Sequence, residues 1–211
     1  MLRACRVLAL ASAGESLWTE GMTLKMEQDL TGQLLIAMPG IGDPRFESAV
    51  VFMCAHTPEG AMGLIVNRVS EGVDVADVFE QLEIARSPSM VPMSVHFGGP
   101  VEMGRGFVLH TTDYEPDHAS MPVRGGYAMT ASREILRDLG RGAGPRRALL
   151  CLGYAGWGPG QLEEELGANG WLTCPADEAI VFEALDDDKW QAALGSIGVS
   201  PALLSGEAGH A

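Results

Sequence analysis

Two apolar runs rich in Val and Ile, SAVVFMCA (48–55) and AMGLIVNRV (61–69), are separated only by HTPEG. Bounded by proline and glycine turn signals, they read as the two arms of a β-hairpin with a five-residue connection. That pairing constrains the fold more than any other feature. Before it stands a buried-strand candidate, QLLIAM (33–38), followed by the loop PGIGDPRF. After it, VADVFEQLEI (75–84) places Val75, Val78, Phe79 and Leu82 on one helical face. SVHFGG (94–99) and GFVLHTT (106–112) read as short strands around the turn GGPVEMGR. GYAMTA is followed by a helix that opens at Thr130 or Ser132, runs through REILRDLGRG and stops at Gly140. RRALLCLGYA, QLEEELGANG, WLTCPA and DEAIVFEAL continue as strand, helix, strand, helix, and DDDKWQAALGSIGV is a last amphipathic helix. Hairpins first and strand–helix alternation later predict an α+β fold with a mixed sheet.

The 211 residues suffice for one domain with a sizeable core. We expect that domain to span 30–211, with 1–29 a disordered leader or an over-extended start. MLRACRVLALASAG mimics a signal peptide, but its apolar part is very short for export, and Met22 and Met26 offer later starts. No run approaches the roughly eighteen apolar residues of a membrane-spanning helix. Cys5, Cys54, Cys151 and Cys174 form no CxxC pair and no zinc-type spacing. Cys54 and Cys151 lie in apolar contexts and are expected as buried, reduced thiols of a cytoplasmic protein.

The formal net charge of −14 repels a phosphate backbone and an anionic membrane, so direct nucleic-acid binding would need a local basic patch. One stretch qualifies. Arg124, Arg133, Arg137, Arg141, Arg146 and Arg147 are opposed locally only by Glu134 and Asp138. Arg133, Arg137 and Arg141 are four apart, along one helix flank, and form a candidate anion patch. From Gln161 onward the balance reverses to ten acids against Lys189. The plainer expectation is therefore a solvated helix face whose arginines neutralise the acidic C-terminal part.

His56, His96, His110, His118 and His210 include no HxxxH and no His–Cys ligand spacing, so no metal site and no cofactor is expected. His110 with Asp113 could orient an imidazole for acid–base work. Cys54 and His56, two apart on a strand, could share a face as a thiolate–imidazole pair. No GxSxG elbow exists. The glycine-rich GYAGWGPGQLEEEL (153–166) lacks the lysine and hydroxyl of a phosphate loop and the spacing of a dinucleotide fingerprint. Its glutamates already complement the positive end of the helix that follows and would repel a phosphate there. It reads as a strand-to-helix corner, with Gly158 capping and Pro159 in the first turn. Trp157, a large aromatic in that turn, either packs inward or lines a binding surface.

Several stretches together are similar to the bacterial YqgE/AlgH family: LTGQLLIAMPGIGDPRFESAVVFMC, HTPEGAMGLIVNR, FGGPVEMGRGFVLH, and GPRRALLCLGYAGWGPGQLEEEL with its NGWL sequel. The likeness runs from Leu30 to the C-terminus. It implies a mixed, split β-sheet curled into a partial barrel with flanking helices, in a cytosolic protein without an established reaction. AlgH-type members have been called transcriptional regulators, although the family is not similar to a known DNA-binding motif. Its polar motif positions here, Asp43, His56, Asn67, Arg105, His110 and Gln161, with Trp157, are the candidate functional cluster.

The leading expectation is a non-catalytic regulatory protein that binds a protein partner or a small ligand. The alternatives are an enzyme or nucleotide-binding protein centred on His56, Asn67, Arg105 and His110, and a direct DNA-binding regulator. Convergence of the first group in one concave pocket favours the former, and scattered placement opposes it.

Overall fold

The computed structural model describes residues 29–114 and 120–204. The leader 1–29, apart from Asp29, lies outside the described residues, as do Cys5, His118 and His210. Nine described strands are β1 (Gln33–Ala37), β2 (Val50–Thr57), β3 (Gly60–Ile65), β4 (Val95–Phe97), β5 (Val101–Thr111), β6 (Ser120–Val123), β7 (Tyr127–Thr130), β8 (Ala148–Trp157) and β9 (Trp171–Pro175). They form one sheet in the order β6-β7-β5-β8-β3-β2-β1-β9, with β4 parallel to β8 and the other pairs antiparallel. The helices are α1 (Val75–Gln81), α2 (Arg133–Arg141), α3 (Gln161–Gly167) and α4 (Asp186–Ser196), with a π-helical turn at Ala179–Glu183. The sheet is mixed and the class is α+β, as the order of elements predicts.

Alternation along the strands divides the apolar side chains between the two faces of the sheet, and its curl gives each face its cover. Leu34, Ile36, Phe52, Leu64, Leu109, Tyr127 and Cys151 fill the concave side, closed by Val181 and by Ala193 and Leu194 of α4. Outside, Leu35, Val51, Met53, Ile65 and Trp157 pack under Leu162 of α3. Val108 and Leu150 pack under Phe79 of α1 and Ile135, Leu136 and Leu139 of α2. The curl brings distant strands together. Phe52 of β2 meets Tyr127 of β7 with ring centroids 4.8 Å apart, and Arg124, in the β6–β7 turn, pairs with Asp29 at 2.8 Å.

β8 joins the two halves. Its first part lies between β5 and β4, and its last three residues pair with β3. The segment from β4 to β5 must therefore cross β8, and it does so backbone against backbone at Gly153. A Cβ on Gly98 would lie 2.3 Å from the Gly153 carbonyl oxygen, and one on Gly99 would lie 2.1 Å from the carbonyl carbon of Tyr154. A Cβ on Gly153 itself, at φ +70°, would lie 2.4 Å from the oxygen of Gly99. Only glycine fits such an approach, and the left-handed backbone reinforces the requirement. The kink also reverses the alternation of β8. Before it, Leu149 and Cys151 face the concave core; after it, Tyr154 does, while Ala155 and Trp157 face outward under α3.

Several local expectations are corrected. The β2–β3 connection is two residues, Pro58 and Glu59, because Thr57 already pairs with Gly60. SVHFGG and GFVLHTT are not partners: their strands β4 and β5 both pair with β8, and β5 begins at Val101. α2 ends at Gly142, φ +74°, whereas Gly140 is buried within the helix, where a Cβ would lie 2.8 Å from the Phe79 ring. The strand runs through GYAGW to Trp157, so the corner is shorter than expected, and Gly160 rather than Gly158 caps α3. DEAIVFEAL yields only the five-residue π turn. Cys54 and His56 do not share a face. A bulge between Met53 and Ala55 shifts the register, leaving Cys54 in the concave core and turning His56 outward toward α3. Burial pushes the Cys54 thiol far up, and the Cys151 thiol up to about 12.

The basic stretch is paired. Arg133 donates to the Leu82 carbonyl at 2.6 Å, Arg137 meets Glu134 at 3.4 Å and Arg141 meets Asp138 at 3.7 Å. Arg146 and Arg147 reach Glu178 and Glu183 of the acidic C-terminal part. A second charge cluster fastens α4. Lys189, 2% exposed, donates to the Val66 carbonyl at 2.7 Å and to Asp186 at 2.8 Å; buried His96 donates its Nε2–H to the same Asp186 oxygen at 3.0 Å. Burial alone would raise the Asp186 carboxyl, but the hydrogen bonds and charges of His96 and Lys189 outweigh it and hold it at about 2.

Gly153→Ala is expected to destabilise the chain by roughly 3 kcal/mol, the sum of a left-handed φ and a backbone overlap. Gly104→Ala, where a Cβ meets nothing within 4 Å, should change stability by less than about 0.5 kcal/mol. Urea unfolding midpoints of the two variants check this. Asp186→Asn strands a buried ammonium and should cost about 3 kcal/mol at neutral pH. Because the folded pKa is depressed, the carboxylate's contribution is complete above the unfolded value near 3.8 and is lost as pH falls toward 2. The gap between wild type and Asp186→Asn in urea titrations should therefore narrow over that window.

Candidate functional site

The reversed end of β8 and the loop after β1 build a cleft of about 770 Å³. One wall is the 38–46 loop, carrying Pro39, Ile41, Asp43, Arg45 and Phe46; the other is Trp157, Trp171 and the inner side of α3, with Gln161 and Glu165. Its aromatic part is a connected cluster. Trp157 and Trp171 stack edge-on with centroids 5.9 Å apart, and Phe46 meets Trp171 edge-on at 5.6 Å. Trp157 thus does both things its position allowed: at 7% exposure it is packed, and it lines the cleft.

Glu165 organises the polar side. Its Oε2 accepts the indole N–H of Trp157 at 2.9 Å and that of Trp171 at 2.7 Å, and its Oε1 accepts Gln161 Nε2 at 2.9 Å. Gln161 Oε1 in turn accepts the Gly158 amide at 3.1 Å, tying the corner to the helix. These donors are all neutral, and Glu165 has no cationic partner among the described residues. At the rim, Asp43 caps the short turn Pro44–Phe46 and binds Arg45 at 2.6 Å. The Arg45 hydrogen bonds and charge hold the Asp43 carboxyl below its usual range.

Asp43, Trp157 and Gln161 therefore share one cleft; the other predicted residues do not join them. Asn67 acts behind the loop. Its Oδ1 accepts the Val50 amide at 2.8 Å and its Nδ2 donates to Ser48 at 2.9 Å, while Arg68 donates to the carbonyls of Arg45 and Glu47. His56 accepts the Leu30 amide on Nδ1 at 3.2 Å, which leaves the proton on Nε2 for Glu163 at 2.7 Å. His110 is fully buried, donating Nδ1–H to the Thr111 carbonyl and accepting the Thr130 hydroxyl on Nε2, both at 2.8 Å. Desolvation lowers its pKa. Asp113 does not orient it: that carboxylate binds the Thr111 hydroxyl and the Arg146 amide. Arg105 lies on the exposed part of β5, paired with Glu102 at 3.0 Å and set over the Phe107 ring. His56, Asn67, Arg105 and His110 form no common pocket.

Sequence reasoning missed Glu165, Trp171, Arg45 and Phe46 as cleft residues. The signal available was spacing: Glu165 is one helical turn from Gln161, on the same face. It also missed the His96–Asp186–Lys189 cluster, in which His96 lies about ninety residues from the other two. Among the described residues there is no group of three or more His, Cys, Asp and Glu arranged to hold a metal ion.

The model of an AlgH-like family, DUF179, matches residues 34–202. A UPF0301 protein of Ruegeria pomeroyi is 56% identical over 184 residues, which are 87% of this chain and all of that protein. A UPF0301 protein of Rhodospirillum rubrum is 51% identical over 89% of this chain and 97% of its own length. Among solved structures, the AlgH protein of Pseudomonas aeruginosa superposes with a TM-score of 0.71 at 41% identity, covering 88% of this chain and 97% of that one. A protein of Corynebacterium diphtheriae shares the fold, with a TM-score of 0.62 at 20% identity over 82% of this chain and 88% of its own. With the curled sheet, the Gly153 crossing and the tryptophan-lined cleft in place, these matches establish that the chain belongs to the AlgH-like family.

Proposed function

We propose that this chain is a non-catalytic regulatory protein that binds a small ligand or a segment of a protein partner in the cleft between the 38–46 loop and α3. The observation that carries this reading is the hydrogen-bond economy of the cleft. Asp43 with Arg45 and Gln161 with Glu165 are engaged with one another, which preorganises a shaped, aromatic-walled surface, and among the described lining residues none carries a hydroxyl, thiol or imidazole that could act as nucleophile or base. Cys54 and Cys151 are buried with thiol pKa values pushed up, and His110 is sealed in the core. The scattering of His56, Asn67, Arg105 and His110 weighs against an enzyme built on those four. Direct nucleic-acid binding is disfavoured by the net charge of −14 and by the engagement of Arg133, Arg137 and Arg141 with neighbouring oxygens. No described helix is long and apolar enough to cross a membrane. A cytoplasmic setting fits the free cysteines Cys54, Cys151 and Cys174.

Three of the four indoles, those of Trp157, Trp171 and Trp190, provide the test. Trp157 and Trp171 Nε1–H point to Glu165 in the cleft, whereas Trp190 Nε1–H donates to the Ala37 carbonyl elsewhere, at 2.9 Å. In a fragment screen read by nitrogen–proton correlation spectra, hits should shift the first two indole signals and leave the third in place. Gln161→Ala should weaken those hits roughly threefold to tenfold, the worth of about one hydrogen bond. Hits that gather at Trp190, or an absence of hits at the Trp157 and Trp171 signals, would contradict the reading.

A further inference from the structure

Among the charged side chains that line the cleft, Asp43 and Arg45 neutralise each other in a 2.6 Å ion pair at the rim. Glu165 is the remainder. It is partly buried, and its partners are three uncharged N–H groups: two indoles and one amide. Such donors stabilise a carboxylate without cancelling its charge, so the aromatic-walled space in front of it keeps a negative potential. The acidic chain as a whole adds to that potential. Nothing cationic among the described residues answers it.

We infer that the cleft takes a weakly hydrated organic cation, a quaternary ammonium or a guanidinium head, with Glu165 as its counter-charge and Phe46, Trp157 and Trp171 as its aromatic wall. This inference rests on the binding-protein reading above. Two features select the class. Three of the roughly four acceptor positions of Glu165 are already filled, so a strongly hydrated primary ammonium would find few hydrogen bonds to replace its water. Aromatic rings and a fixed negative charge hold instead a cation that loses little on leaving water. A free small molecule and an arginine side chain of a partner segment present this same chemistry.

Matched probes on the full chain test the inference. Choline is titrated beside neohexyl alcohol, which has the same skeleton with carbon in place of the quaternary nitrogen. A doubly blocked arginine amide is titrated beside its citrulline counterpart, and phenylacetate serves as an anion. The Trp157 and Trp171 indole signals report occupancy. At least one cation should bind tenfold or more tightly than its neutral partner, and that preference should shrink as salt is raised. Preference for choline marks a free small ligand, and preference for the arginine amide marks a partner side chain. Glu165→Gln should erase the preference, so that the charged and the neutral probe of each pair bind the variant equally. The wild-type comparison and its salt dependence stand even if that variant does not fold. Equal binding of charged and neutral probes, or tighter binding of phenylacetate, overturns the inference and leaves the binding reading intact. If no probe and no screened fragment of any charge moves the two indole signals, both fall.

Discussion

The whole arrangement depends on one contact between backbones, where the Gly98–Gly99 segment passes over Gly153. Without it, the chain could not place β4 and β5 on opposite sides of β8, and the two halves of the sheet would lose their common strand. The same point reverses the in–out alternation of β8. A strand that kept its parity would send Trp157 into the concave core, where Cys151 and Leu149 already point. The kink sends it outward, against Trp171 and beneath α3. The cleft is thus a consequence of the crossing rather than an addition to a finished fold.

The electrostatics follow a similar logic. Arginines along α2 and after it are spent on neighbouring carbonyls and carboxylates, so the apparent basic patch is a set of local ties. Deeper in the molecule, Lys189, Asp186 and His96 fix the first turn of α4 to the ends of β3 and β4. Charge burial there is compensated by direct partners, and breaking one strands the others. Glu165 differs in kind. Its carboxylate is held by neutral donors alone, so its geometry is satisfied while its charge has no cationic partner among the described residues.

Much of the fold was legible in the sequence because it rests on local signals. The Val- and Ile-rich runs gave the hairpin, the spacing of Val75, Val78, Phe79 and Leu82 gave α1, and the order of elements gave a mixed α+β sheet. What local signals could not give were the parity changes. The bulge at Met53–Ala55 and the kink at Gly153 each move later side chains to the other face, which is why a Cys54–His56 pair was conceivable on paper and is absent in space. Gly140 was misread for a related reason: a glycine kept for close helix packing against Phe79 looks the same in sequence as one that ends a helix. Of the cleft residues, Asp43, Trp157 and Gln161 were named from the sequence, since they stand in the stretches that carry the family resemblance. Glu165 was hidden among three consecutive glutamates, and only the placement of Trp157 and Trp171 singles it out.

The shared acceptor is the central claim, and the most direct measurement is the Glu165→Gln variant read at the indole N–H signals of Trp157, Trp171 and Trp190. If Trp157 and Trp171 both donate to Glu165, removing that one charge moves both of their signals while Trp190, bonded to the Ala37 carbonyl, stays in place. A shift at only one of Trp157 and Trp171, or a comparable shift at Trp190, would contradict the account.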